Sequence, residues 1–317
     1  MEKIIITTTI MTEIERIINE GILPANFFKP EVLCDFYVDE NRKKVWGIQI
    51  ELYMVLKTIC EKHHLKLFTD GGTTIGAVRH KGFIPWDDDI DVCLLRKDYE
   101  RLKSLAYEFS YPFFLQSPDT DSEYGFSFMR LCNSNTSYDV KPFTYAKFNK
   151  GLFIDIFPID KVTQEDYLIR RKKISALIAK NSARMRKDFP FKSERDLKLI
   201  EQNYDSNLST SDVWHEIENI ATQDENIDTP FVSLLVSTQY KAEKKIWPKR
   251  VFEGDGIEKD FYPIKVIVPS GYDEQLKIYF GNYMEFPPVE ERGTWHSATL
   301  LPDIPYKQYY HEKYGLY

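Results

Sequence analysis

The chain has 317 residues, enough for one large or two small domains, and its 43% hydrophobic content is sufficient to build a core. A formal charge of -7 argues against a general nucleic-acid-binding surface. No apolar run approaches the roughly 18 residues of a membrane span, and the N-terminus lacks the charged-then-apolar order of a secretion signal, so a soluble protein is expected. Cys34, Cys60, Cys93 and Cys132 have no paired C-x-x-C spacing, and three of them fall in apolar segments. That predicts buried free thiols and a reducing, cytoplasmic setting.

In chain order, residues 1–9 read as a short strand or loose tail, followed by a helical turn or two through Ile14, Ile17 and Ile18. Pro24 and Pro30 bound an irregular link. Val45, Ile48, Leu52, Val55 and Ile59 recur at steps of three and four, which predicts an amphipathic helix. His63 and His64 at its end read as capping or surface residues. An apolar run over 65–68 then leads to Gly71-Gly72 and a short helix over 74–79. Glycine there allows a tight turn and close approach of backbone N–H groups to a phosphate.

After the basic run Arg79, His80, Lys81 come four carboxylates within five residues, Asp87, Asp88, Asp89 and Asp91. Packed carboxylates repel one another unless a cation or protons neutralise them, so the cluster invites a hard divalent ion such as magnesium. If 89–95 is extended, Asp89 and Asp91 project together while Ile90 and Val92 enter the core. The simplest alternative is a solvated acidic loop. A calcium loop is rejected, because its sixth position needs Gly and has Val92, and its twelfth needs Glu and has Asp98.

Beyond the acidic run, Tyr99, Leu102, Leu105 and Ala106 predict a helix, and 113–116 and 127–132 predict strands. Residues 135–140 alternate loosely. GLFIDIFPID then reads as a strand with Asp155 directed away from Ile154 and Ile156 and with Pro158 ending it. Residues 163–188 are helical in pattern and basic, carrying Arg170, Arg171, Lys172, Lys173, Lys180, Arg184, Arg186 and Lys187. They form either a solvated face or an anchor for a polyanionic acceptor or an anionic membrane surface. Residues 193–228 read as polar helices with a mobile link.

GGTTIGAVRHKGFIPWDDDIDV resembles the signature of the LicD family of phosphotransferases, to which the fukutin-type proteins are related. In that fold a Gly-Gly-Ser/Thr turn leads to an acidic-x-acidic pair on a neighbouring strand, and a third acidic residue stands on a later strand. Gly71, Gly72, Thr73, Asp89, Asp91 and Asp155 fit the pattern. A second match lies in residues 247–296, with a Phe-Glu pair before a strand, a Pro-x-Gly-Tyr turn opening a helix, and a Tyr-Gly-Asp-Tyr-Met-like segment before Pro-Pro. This chain departs from it at Phe280 and Asn282, although Asn preserves the turn.

The resemblance implies an α+β fold, a nucleotidyltransferase-like mixed sheet flanked by helices with C-terminal additions. The expected division is 1–44 as an N-terminal extension, 45–162 as the catalytic core, 163–248 as a helical insertion and 249–317 as the C-terminal part. The implied activity is metal-dependent transfer of a phosphorylated headgroup, typically phosphocholine from CDP-choline, to a hydroxyl of a surface glycan, teichoic acid or lipopolysaccharide precursor. Asp89, Asp91 and Asp155 would carry one or two Mg2+ ions, with Mn2+ as an alternative, and Asp155 would orient or deprotonate the acceptor. Gly71, Gly72, Thr73, Arg79 and Lys81 would hold donor phosphates.

Trp86, with Tyr145 and Phe148 behind it, is the candidate cage for a quaternary ammonium. The partners are the activated donor and a glycan or lipid-linked saccharide, with peripheral contact at the inner membrane face. One rival is a nucleotidyltransferase that releases pyrophosphate. The other is a catalytically silent glycan- or nucleotide-binding protein, against which the intact acidic residues argue.

Overall fold

The computed structural model describes residues 11–237, 242–293 and 298–317. The expectation for residues 1–9 lies outside these, as does His296 at the end of the second matching region. Helix α1 (Glu13–Asn19) starts at Thr12, whose hydroxyl accepts from the Glu15 N–H at 3.2 Å while the Glu15 carboxylate accepts from the Thr12 N–H at 2.8 Å. A hairpin of β1 (Glu31–Leu33) and β2 (Phe36–Val38) leads to α2 (Glu40–Lys62), which is capped by Asp39.

The stripe that predicted an amphipathic α2 is present, but every residue from Val45 to Tyr53 is buried. The helix is covered twice: β6 and β8 of the sheet pack on one side, and α1 with the turn Ala25–Phe28 packs on it as well. Ile14, Ile17, Leu23 and Phe27 share one core with Ile154 and Ile156. Residues of the stretch 11–44 thus pack into that core.

Next come β3 (Phe68–Thr69), α3 (Gly71–Ile75) continuing as a π-helical turn through His80, β4 (Asp91–Leu95) and α4 (Arg96–Lys103). They are followed by β5 (Phe113–Gln116), β6 (Met129–Asn133), β7 (Ser137–Asp139) and β8 (Leu152–Val162). Three helices follow, α5 (Tyr167–Arg186), α6 (Glu194–Asn203) and α7 (Thr210–Ala221). The chain then returns to the sheet as β9 (Phe231–Ser233) and β10 (Ile246–Pro248), so 163–248 is not helical throughout. The hairpin β11 (Ile257–Phe261) and β12 (Ile264–Val268), α8 (Tyr272–Phe280), β13 (Thr299–Leu301) and α9 (Tyr306–Tyr314) complete it.

The α+β class expected from the sequence is the class observed. Strand β8 is the spine of a mixed sheet: β4 pairs parallel along one edge, and β6 and then β9 pair antiparallel along the other. Pro158 does not end β8. The Asp155 N–H donates to Ile90 O on the β4 side, so by alternation the position of residue 158 faces the other edge. There, pairing to β6 stops at Ile156 and pairing to β9 begins at Asp160, so no ladder bond is lost at the proline.

The basic helix also differs from its solvated reading. Arg170 is buried and donates to Asp224 at 2.5 Å and to the carbonyls of Ile220 and Ala221, while Arg171 donates to Leu234 O at 2.5 Å. Lys172 and Lys173 are exposed. Two arginines of the run thus satisfy helix ends and loop carbonyls inside the fold. Among the described residues no helix is long and apolar enough to cross a membrane. Cys60, Cys93 and Cys132 are buried free thiols, and Cys34 is free and exposed.

Candidate active site

Because β4 and β8 run parallel in register, Asp91 lies beside Asp155, and the register from β8 to β6 puts Asp155 beside Arg130. A row of charged side chains thus crosses three strands, while Val92, Ile154, Ile156, Met129 and Leu131 on the same strands fill the core. Arg130 donates from Nε to Asp155 Oδ1 at 2.7 Å. Its guanidinium lies 3.6 Å from the Phe153 ring centroid and 4.0 Å from that of Phe126, which fixes its plane. This pairing holds the Asp155 carboxylate in one orientation.

The turn preceding β4 meets the same row. Gly71 has φ +50°, a conformation that L side chains rarely adopt, and a Cβ on Gly72 would sit 2.6 Å from Asp87 Oδ2. The second glycine is therefore required by the approach of a carboxylate. Thr73 is buried, and its hydroxyl accepts from the Asp91 N–H at 2.8 Å, tying α3 to β4. From behind, α2 grips the acidic loop: Trp46 Nε1 and Arg42 Nη1 donate to Asp87 O at 3.0 and 2.9 Å, and Gln49 Nε2 donates to Asp88 O at 2.8 Å.

Asp89, Asp91 and Asp155 line one cavity of about 570 Å3 together with Asp70, Gly71 and Gly72. Burial, followed by repulsion from neighbouring carboxylates including Asp155, raises Asp89 to about 7. The same causes, burial first and then Asp89 and Asp155, push Asp91 well above the carboxylate range. Crowded, desolvated carboxylates of this kind fit a hard divalent cation, which would neutralise them without protons. Asp70 is raised by burial and accepts from Gln275 Nε2 at 2.7 Å.

The remaining lining comes from far along the chain. It includes Phe126 and Phe128 before β6, Phe157 on β8, Ile178 and Met185 on α5, Trp247 on β10, and Tyr279 and Phe280 at the end of α8. Arg186 and Lys245 bring positive charge. Lys245 is 5% exposed, donates to Ser237 Oγ at 2.7 Å and lies 5.1 Å from the Tyr279 ring centroid. Burial, reinforced by Arg171, lowers its ammonium to about 8, against the pull of Asp70 and Asp91.

Four site residues singled out in the sequence do not line this cavity: Thr73, which is buried with its hydroxyl on the Asp91 N–H, and Arg79, Lys81 and Trp86. Arg79 spends Nη1 on the carbonyls of Tyr283 and Glu285 and lies 5.1 Å from the Phe286 ring centroid, tying α3 to the segment after α8. Lys81 is exposed in a left-handed turn, with its carbonyl bonded to the Tyr262 N–H. Trp86 is 4% exposed and packs against Phe36, His80 and Phe286, so it is a core residue and not a cage wall. Tyr145 and Phe148 also lie outside the lining: Tyr145 packs on Phe189 and Tyr314, and Phe148 on Tyr124 and Phe126. His63 is the C-cap of α2, with its N–H donating to Ile59 O at 3.2 Å, and its Nε2 meets Glu108 at 2.6 Å.

The reading of the motif missed Asp70, Arg130, Lys245 and Gln275. Arg130 carried a signal, a lone charge within the apolar strand FMRLC. Lys245, one lysine among several, carried none.

A glycine turn at the start of a helix is thus set against carboxylates on two adjacent parallel strands. Residues 64–195 match the family model described as LicD/FKTN/FKRP, nucleotidyltransferase domain. It is 29% identical over 248 residues to the lipopolysaccharide cholinephosphotransferase LicD of Haemophilus influenzae, covering 75% of this chain and 89% of that one. An uncharacterized Rickettsia prowazekii protein is 36% identical over 63 residues, 19% of this chain and 24% of its own.

Proposed function

We propose that this chain transfers phosphocholine from CDP-choline to a hydroxyl of a lipopolysaccharide or related surface-glycan precursor. The observation that carries the reading is one cavity in which Asp89, Asp91 and Asp155 stand beside an aromatic and aliphatic lining. The extended similarity to a cholinephosphotransferase supports it. Asp89, Asp91 and Asp155 would hold Mg2+, or Mn2+ in its place, which would neutralise the donor phosphates and the charge on the departing one.

The chain's own residues do the rest. Gly71 and Gly72 let the donor phosphates approach the backbone, and Thr73 keeps Asp91 in place through its main chain. Asp155, oriented by Arg130, positions the acceptor hydroxyl in line with the phosphorus. Lys245 replaces Arg79 and Lys81 as the cation for donor phosphate. Phe157 and Tyr279 offer ring faces to the trimethylammonium, which cannot donate a hydrogen bond.

A screen of activated donors with candidate glycan acceptors tests this by the product released. CMP formed in step with acceptor modification is expected. Pyrophosphate released from CTP and phosphocholine, with no CMP from CDP-choline, would make the chain a nucleotidyltransferase instead.

A further inference from the structure

Two buried polar atoms on residues that line the large cavity have no hydrogen-bond partner: Gln275 Oε1 on α8 and Trp247 Nε1 on β10. Both residues are 2% exposed. The amide of Gln275 is oriented, because Nε2 donates to Asp70 Oδ1 at 2.7 Å and an ionised carboxylate can only accept. Oε1 is left as an acceptor, whereas the indole nitrogen of Trp247 can only donate. An acceptor and a donor, each desolvated and unanswered, are costly until a ligand completes them.

The proposed donor narrows what that ligand group can be. Its trimethylammonium neither donates nor accepts a hydrogen bond, and its phosphates only accept, so neither answers Gln275 Oε1. Protons remain on the ribose hydroxyls, on the cytosine amine and on the hydroxyl of the acceptor molecule. The sheet decides among them. Strand order β3, β4, β8 sets Asp70, Asp91 and Asp155 in a row: the Asp70 N–H donates to Asp91 O at 3.0 Å, and Asp91 is in register with Asp155. In-line displacement puts the incoming oxygen and the leaving nucleotide on opposite sides of the phosphorus. With the acceptor at Asp155, the nucleotide departs towards Asp70, where Gln275 is bonded and whose charge, with that of Asp91, acts on Lys245. The ribose is joined directly to a phosphate held there, and the base lies farther off. Trp247 stands two residues after Lys245, and both line the same cavity.

We propose that Gln275 and Trp247 form the ribose subsite of this cavity: Oε1 accepts from one hydroxyl of the donor's 2′,3′-diol, and Nε1–H donates to the oxygen of the other. A vicinal diol offers a proton and a lone pair side by side. The assignment rests on the proposed cytidine donor and makes the chain selective for ribonucleotides, since a site built to bond a hydroxyl rejects the analogue lacking it. Through Nε2 the same amide ties the bound ribose to Asp70 at the end of the carboxylate row.

Calorimetry on the full-length chain in Mg2+ tests this by comparing CMP with 2′-deoxy-CMP and 3′-deoxy-CMP. CMP should bind the wild type roughly 5- to 100-fold tighter than either deoxy compound, because each leaves one buried atom unpaired. In Gln275→Met, which keeps bulk and removes the acceptor, discrimination against one deoxy compound should vanish, and in Trp247→Phe discrimination against the other. The wild-type series alone decides if a variant fails to fold. Equal affinity of the wild type for all three nucleotides, or undiminished discrimination in both variants, would overturn the subsite. CMP release from CDP-choline at the same KM as from its deoxy forms would overturn the subsite and leave the proposed activity standing. The expected discrimination without any CMP release from CDP-choline and acceptor would overturn the activity alone, and no binding of CMP would overturn both.

Discussion

The two parts of the large cavity are specified in different ways. The carboxylate part comes from residues 70–91 and one later strand, held by parallel register and by bonds such as Asp91 N–H to Thr73 Oγ1. The aromatic and cationic part is gathered from the approach to β6, from α5, from the stretch 234–247 and from the end of α8. The first is rigid, local chemistry on sheet and turn. The second depends on where helices separated by some hundred residues settle, so it is the part free to vary with the headgroup and acceptor.

Changes in the carboxylate part should therefore abolish turnover for every donor. Asp155→Asn is expected to lower kcat on the order of 10^2- to 10^3-fold while leaving donor KM within a few-fold, measured by CMP release. An equal loss in KM alone would move Asp155 from the reaction to binding. Gly72→Ala comes next. Its new Cβ would meet Asp87 Oδ2 at 2.6 Å and displace the loop, and misplacement of that size costs up to about 10^2-fold in rate. Wild-type turnover in this variant would show that the loop has slack.

Changes in the aromatic part should instead redistribute preference among donors. Phe157→Leu and Tyr279→Leu keep apolar bulk and remove ring faces worth roughly 0.5–2 kcal/mol to a quaternary ammonium. The preference for choline-linked over glycerol-linked donor should fall about 2- to 30-fold, with little change for the glycerol compound. An equal fall for both would reduce these rings to packing.

The smallest effect is on stability and lies outside the cavity. Lys150 is 4% exposed, and burial lowers its ammonium to about 7, against the pull of Asp139. Its unfolded value is near 10.4, so between about pH 7 and 10 the unfolded chain binds the extra proton and stability rises with pH. Lys150→Met should flatten that rise in Tm between pH 7 and 9. An unchanged slope would mean that Thr144 O and the Tyr310 ring, 4.1 Å from Nζ, keep the ammonium charged.

The same contrast explains what could be read from the sequence. Alternation placed Asp91 and Asp155 on one surface and Val92, Ile154 and Ile156 in the core, and the structure agrees, because strand period is a local property; Asp89 and Ile90 take the expected sides although β4 begins only at Asp91. The spacing of Val45, Ile48 and Leu52 gave α2 but not its burial all round, since coverage by α1 and the sheet is tertiary. Arg79, Lys81 and Trp86 lay close to the motif in sequence, yet the helical turn through His80 and the left-handed Lys81 carry them to another flank. Proximity in sequence is not proximity in space here. Pro158 misled because one unpaired stretch between β6 and β9 accommodates it, a feature of topology that composition cannot carry.

The central claim is that the cavity lined by Asp89, Asp91 and Asp155 is where a divalent ion and the donor meet. CMP release from CDP-choline, followed during Mg2+ titration of the metal-stripped wild type and of Asp91→Asn with folding monitored by Tm, tests it most directly. The expected result is turnover that rises with Mg2+ and vanishes in excess chelator, and an Asp91→Asn chain that is inactive at all Mg2+ concentrations with a Tm at or above that of the metal-free wild type. Turnover that persists in chelator, or an Asp91→Asn chain as active as the wild type, would contradict it.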